Sequence, residues 1–249
     1  MAPGGPHWPL RGPDTPPFVL AHRGDAARWR ENTLDAFRAA REAGADGVEL
    51  DARLSADGVA VVHHDRDVPG AGPVDECARG ALPVWLPSLA DALAACAGLV
   101  VDVELKASPL EPGFDPTQRL ARTVARMVGG SSGPAAPAAV LLTSFWPEAL
   151  AAVREEGPEL VTGLLVHPAL EAGAALEQAA ALGCRAILPF HAQVDGPLVA
   201  GAHDAGLGVV PWTVNGEERL RAVLALGVDG LVTDEPGLAM ALRTAGSGA

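Results

Sequence analysis

FVLAHRGDAARWRENTLDAFRAAREAGADGVEL, residues 18–50, holds one complete strand, helix and strand. FVLAH (18–22) and GVEL (47–50) are short apolar runs of strand type, and between them Leu34, Phe37 and Ala40 fall on one helical face. Asn32 is placed to cap a helix over 33–43, Asp35 supports its first turn, and Gly44 supplies the stop. Two strands joined in this way by a crossover helix lie parallel in one sheet.

The same unit recurs to the C-terminal end. Further strands are predicted at 59–64, 99–105, 139–145, 160–166, 185–190, 207–214 and 229–233, and helices near 88–97, 116–128, 147–156, 171–182, 196–205, 217–226 and 237–243. Gly157, Gly183, Gly206 and Gly227 repeat the helix-ending signal of Gly44. This rhythm predicts an α/β fold, a single-domain TIM-type (β/α)8 barrel, whose functional groups gather at the C-terminal ends of the strands. A doubly wound open sheet is the alternative, but no GxGxxG follows the first strand. Nine strand candidates compete for eight places, and only SADG separates the second from the third. Either a helix is missing there or one candidate lies outside the barrel.

The barrel domain is expected over 18–243. A Pro-rich arm, 1–17, is expected to be disordered, residues 244–249 to form a flexible tail, and GGSSGPAAP (129–137) to be a surface loop. With 249 residues and 49% hydrophobic content the chain can bury a sizeable core.

A net charge of -13, from 18 basic and 31 acidic residues, argues against a nucleic-acid surface. An anionic substrate would need a local device. The basic residues are 17 arginines and a single lysine, Lys106. Three scattered cysteines, Cys77, Cys96 and Cys184, suggest neither a disulfide framework nor a zinc site, and a reducing cytoplasm is the expected location. The first residues carry no signal-peptide pattern and no run of eighteen apolar residues occurs, so stable membrane insertion is not expected.

Glu49 and Asp51 lie two apart at a strand end, hence on one face. Glu104 ends another strand, with Asp102 on the same face. Carboxylates without a bridging imidazole make a hard-cation site for Mg²⁺, Ca²⁺ or Mn²⁺ rather than zinc. Lys106 lies two residues beyond Glu104, on the same face, and Arg23 follows His22 at the end of the first strand; both are candidates to hold a phosphate. His22 and His64 each close a strand, and imidazole suits proton transfer near neutrality. Adjacent strand residues point oppositely, so His63 is expected away from the site, packed under a helix. Trp212, in WTVN, is a candidate apolar wall for the substrate, with Phe145, Phe190 and His191 as weaker ones, and Glu31 and Asn32 could brace the site. No GxSxG, GxxxxGK[ST] or HExxH is present, so serine, P-loop and zinc-protease chemistry recede.

AHRG (21–24), ENTLDAF (31–37), GADGVELD (44–51), DGVAVVHHD (57–65), VELK (103–106), WTVN (212–215) and GVDGLVTDEP (227–236) together resemble the glycerophosphodiester phosphodiesterase family, over about residues 18–243. The resemblance implies a barrel that hydrolyses a glycerophosphodiester to sn-glycerol 3-phosphate and an alcohol with one divalent cation, Mg²⁺ or Ca²⁺, Mn²⁺ also being suited. It implies Glu49, Asp51 and Glu104 as metal ligands, His22 and His64 as the general acid/base pair, and Arg23 and Lys106 as phosphate ligands. In that family the first nucleophile is thought to be the neighbouring glycerol hydroxyl, giving a cyclic phosphate that water opens. Arg30 stands where a proline usually precedes ENT, and His63 where an aliphatic residue usually precedes HD. Segment 66–87 takes the place of the family's small insertion and is short, which suggests an open mouth. The substrate expected is a small water-soluble diester. A lysophospholipase D or another lipid or polymer phosphodiesterase on the same site is the alternative, and a barrel that binds diesters without turnover a third reading.

Overall fold

The structure, a computed structural model, describes residues 15–130 and 139–246. Its elements run β1 (Phe18–His22), α1 (Leu34–Glu42), β2 (Gly47–Leu54), β3 (Ala60–Val62), β4 (Asp67–Val68), β5 (Gly72–Pro73), α2 (Leu89–Ala95), β6 (Val100–Leu105), α3 (Arg119–Gly129) and β7 (Ala139–Ser144). The second half continues through α4 (Pro147–Glu156), β8 (Thr162–Val166), α5 (Ala172–Ala181), β9 (Ala186–Pro189), α6 (Gly196–Asp204), β10 (Gly208–Val209), α7 (Glu217–Ala225), β11 (Gly230–Thr233) and α8 (Pro236–Gly246).

Parallel pairing runs in the order β10, β9, β8, β7, β6, β2, β1, β11. The two ends of that sheet meet: the Asp229 amide donates to the Val209 carbonyl at 2.9 Å, Val232 to Pro211 at 2.9 Å, and Val214 to Val232 at 2.8 Å. This is the predicted single-domain eight-stranded barrel, nearly closed, with one helix after each strand. The arm at 1–14, most of the loop at 129–137 and residues 247–249 lie outside the described residues. Helix α8 runs to Gly246, three residues into the stretch expected as tail.

The ninth strand candidate is the one outside the barrel. Strand β2 is twice as long as predicted because ARL (52–54) runs past the rim and pairs antiparallel with β3, Ala52 facing Val62 and Leu54 facing Ala60. Residues 55–58 make the tight turn, with Gly58 at φ 81° and its amide bonded to the Ser55 carbonyl. The chain therefore folds back over the mouth and delivers His64 there. A satellite core of Val61, Val68, Val74, Leu82 and Leu86 anchors segment 66–87 above it.

Side chains alternate between the barrel interior and the helix layer. Phe18, Leu20, Leu141, Leu165, Leu188, Val210 and Val232 pack together inside. The space is tight at the floor: a Cβ on Gly47 would stand 2.2 Å from the Val100 carbonyl oxygen. Two residues further along the same inward rows come His22, Glu49, Asp51, Asp102, Glu104, Thr143, Trp212 and Asp234. The apolar stack of the barrel thus ends in a polar cap on its C-terminal side.

Candidate active site

Eight residues from four strand ends and the β3 return line one cavity of about 130 Å³: His22, Arg23, Glu49, His64, Asp102, Glu104, Lys106 and Thr143, with Phe145, Leu165, Leu188 and Trp212 on its apolar side. His22, Arg23, Glu49, His64, Glu104, Lys106 and Trp212 come together here, with Asp51 lying directly behind Lys106 and Arg23.

One carboxylate oxygen each from Glu49, Asp51 and Glu104 lies within 4.8 Å of the others. Register explains the cluster, since β2 pairs with β6 so that Asp51 faces Glu104 and Glu49 faces Asp102. Glu49 and Asp51 are buried and Glu104 half-buried. Burial, and then the charges of Asp51, Glu104 and Asp102, raise the Glu49 pKa well above the carboxylate range. Burial pushes Asp102 up to about 8, against the hydroxyl of Thr143, which donates to it at 2.7 Å. Burial also raises Glu104, against the opposing pull of Lys106. Asp51 goes the other way: burial is outweighed by Lys106 and Arg23, and its pKa falls. Crowded buried carboxylates of this kind are the setting that a divalent cation stabilises, and an all-oxygen donor set fits Mg²⁺, Ca²⁺ or Mn²⁺.

The two candidate phosphate ligands are themselves ion-paired. Lys106 Nζ lies 2.6 Å from Glu104 Oε1 and 2.9 Å from Asp51 Oδ1. Arg23 Nη1 donates to both oxygens of Glu31 at 3.0 Å, its Nε stands 3.2 Å from Asp51 Oδ2, and its amide donates to Glu49 at 3.1 Å. Both remain at the cavity wall as fixed positive charges. Arg23 adopts φ 54°, and Gly24 after it φ 85°; a Cβ on Gly24 would come 2.7 Å from the Ala36 backbone. Only glycine allows β1 to end against α1 in this way.

His22 has a partner that sequence reasoning left unassigned. Its Nδ1 lies 2.7 Å from Asp234 Oδ1, at the end of β11 and 212 residues away, and its Nε2 lies 3.9 Å from Glu49 Oε2. A carboxylate only accepts, so Nδ1 donates to Asp234 and Nε2 is the ring nitrogen turned towards the acids. Asn215 fixes Asp234 in turn, donating to Oδ2 at 2.6 Å. The alternation that revealed Asp51 would have revealed Asp234, which follows Gly230 and Val232 on the inward row. His64 Nδ1 contacts Asp65 Oδ1 at 2.8 Å, and Arg53 Nε holds the His64 carbonyl at 2.8 Å.

Asn32 braces the site as expected, donating to Asp51 Oδ2 at 2.7 Å, but it does not cap α1. That cap is Thr33, whose hydroxyl accepts from the Ala36 amide at 3.3 Å, because Asn32 is buried at φ 56° with its amide committed to Asp51. Trp212 forms the apolar wall: its Nε1 donates to the Leu188 carbonyl at 2.7 Å, and its ring packs against Phe145 and Phe190, each at 5.5 Å. His191 turns instead to Arg219, whose Nε donates to it at 3.0 Å.

His63 is excluded from the cavity, though it packs on Trp85 of segment 66–87 at 5.9 Å rather than under a helix. Arg30 stacks over the same ring at 4.3 Å. The two departures from the family pattern therefore meet on one indole, which ties the β1 loop to segment 66–87. Trp85→Ala is expected to cost about 2 kcal/mol, from an aromatic pair and a cation–π contact. In a thermal melt that is a fall in Tm of roughly 4–8 °C; an unchanged Tm would show that neither contact contributes.

The comparisons with known proteins agree with this fold. The glycerophosphodiester phosphodiesterase of Caldanaerobacter subterraneus subsp. tengcongensis is 30% identical over 240 residues, covering 88% of this chain and 94% of that protein. An Oleispira antarctica phosphodiesterase, solved in complex with its product sn-glycerol-3-phosphate, superposes with a TM-score of 0.80 at 23% identity over 91% of this chain and 96% of that one. The glycerophosphodiester phosphodiesterase of Thermotoga maritima gives 0.76 at 24% identity over 91% and 98%. The model of the glycerophosphoryl diester phosphodiesterase family matches residues 22–238, nearly the whole barrel, and the chain belongs to that family.

Proposed function

We propose that this protein hydrolyses a glycerophosphodiester to sn-glycerol 3-phosphate and an alcohol, with Glu49, Asp51 and Glu104 holding one divalent cation and His22 and His64 transferring protons. The observation that carries the reading is the meeting of three carboxylate oxygens within 4.8 Å, beside two imidazoles and two cationic side chains in one cavity. A divalent cation at those carboxylates supplies Lewis-acid neutralisation of a phosphoryl oxygen. Arg23 and Lys106 share the negative charge that grows on the phosphoryl oxygens, from positions set before substrate arrives. Trp212, Phe145 and Leu188 give the glycerol carbons an apolar wall and exclude water.

One histidine takes the proton of the attacking hydroxyl as its oxygen bonds to phosphorus. The other, starting as imidazolium, gives its proton to the departing oxygen as that P–O bond breaks. The ion is Mg²⁺, Ca²⁺ or Mn²⁺. A small soluble diester is the proposed substrate, and the free thiols of Cys77, Cys96 and Cys184 fit the reducing cytoplasm proposed as the setting; no helix of the described residues is long and apolar enough to cross a membrane. The first test is release of glycerol 3-phosphate from glycerophosphocholine and glycerophosphoethanolamine, with EDTA and with each ion restored. Metal-dependent release is expected. Release unaffected by EDTA would exclude the metal role, and release only from micellar lysolipid would favour the lysophospholipase D reading.

A further inference from the structure

A second cavity, of about 210 Å³, adjoins the mouth and shares Lys106 with it as a common wall. It lies between the overhanging end of β2, the β6–α3 loop and segment 66–87. Its volume is well beyond the roughly 10–15 Å³ that a single water requires. The chemistry proposed above does not use it.

Its walls set apolar side chains such as Leu54, Val74 and Leu120 among charged ones, and most of those charges are paired. Arg53 forks onto Glu111 at 2.8 and 3.1 Å, and Arg66 onto Asp75 at 2.9 Å. With Arg119 and Asp115 that makes three arginines against three carboxylates. Charged walls are a poor surface for an acyl chain. A trimethylammonium group would want an aromatic cage, and Phe114 is the one aromatic residue in the lining. Gln118 adds an unmet demand. It is over nine-tenths buried, sits at φ 57°, a conformation uncommon outside glycine, and its Oε1 has no hydrogen-bond partner among the described residues.

We infer that this cavity receives the departing alcohol and that it selects a polyhydroxy alcohol, of the glycerol or inositol kind, over choline or a lipid chain. Hydroxyl groups both donate and accept, so they satisfy a charge-balanced wall of guanidinium, carboxylate and amide groups without bringing net charge. The phosphorus sits in the mouth, and the ester oxygen leads past Lys106 into the second cavity. This inference rests on the diester hydrolysis proposed above and names the substrate class for that same site.

The test compares glycerophosphoinositol and glycerophosphoglycerol with glycerophosphocholine, reading glycerol 3-phosphate release in the metal-loaded enzyme. Wild type is expected to favour the polyol diesters by about tenfold or more in kcat/KM, well inside the roughly 10⁴–10⁵-fold ceiling reached when a site is built to hydrogen-bond a substrate hydroxyl. Gln118→Leu should shrink that preference to within about threefold, chiefly by raising KM for the polyol diesters, as expected when ground-state binding is lost. Ala56→Phe, at an exposed position on the cavity wall, should do the same by filling space without disturbing the core. Hydrolysis of all three diesters without preference, or variants that leave the preference intact or lower every substrate equally, would overturn the subsite alone. No hydrolysis of any diester by wild type would overturn the proposed function, and the subsite with it.

Discussion

His22→Ala is expected to lower kcat/KM for diester hydrolysis by about 10²–10⁴-fold, the usual contribution of a positioned proton-transfer group. The partner substitution sharpens this. Asp234 accepts from His22 Nδ1 on one oxygen and from Asn215 Nδ2 on the other. An asparagine offers one accepting oxygen, so Asp234→Asn must give up either the imidazole or Asn215. If the amide turns its NH₂ to the ring, the proton moves to Nε2 and the lone pair facing Glu49 is lost. The expected fall is up to about 10⁴-fold, the loss that follows when the carboxylate orienting a catalytic imidazole becomes an amide and the ring takes the wrong tautomer. The decisive measurement is the double variant: residues acting as one unit do not add. His22→Ala/Asp234→Asn should be no slower than His22→Ala alone, whereas multiplicative losses would separate Asp234 from His22.

That dyad also shows where sequence reasoning reaches and where it stops. Barrel architecture was legible because each parallel strand is buried on both faces and reads as an uninterrupted apolar run, closed by a helix and its glycine. The strand alternation placed Glu49 with Asp51 and ended β6 at Glu104, so three of the acids were visible from spacing alone. Arg53 broke the pattern. A buried arginine in ARL looks like a strand end, and nothing local reveals that Glu111, 58 residues on, neutralises it and lets β2 continue. Asn32 misled for the opposite reason: a good cap by type, it is diverted to Asp51 and leaves the capping to Thr33. The same long-range logic hides Gln118 and the walls of the second cavity, whose residues come from three separate loops. What depends on a neighbour in the chain can be read early; what depends on a partner across the mouth waits for the fold.

Glu49→Gln is expected to cost about 10³-fold or more in kcat, because it removes a proposed metal ligand while keeping the size of the side chain and an acceptor for the Arg23 amide. Rate loss alone would not distinguish a ligand from a structural acid, but stability does. In the absence of metal the Glu49 carboxylate is disfavoured, first by burial and then by Asp51, Glu104 and Asp102. Replacing it with a neutral amide relieves that repulsion, so the metal-free variant should melt at or above the wild-type temperature. With metal the order reverses. A cation at 100 times its Kd adds about 2.7 kcal/mol to wild type, roughly 5–10 °C in Tm for a domain of this size, and should add little to Glu49→Gln. A buried acid that merely completes an ion-pair network predicts the contrary pattern, a variant that is destabilised with or without metal, and that result would remove Glu49 from the metal site.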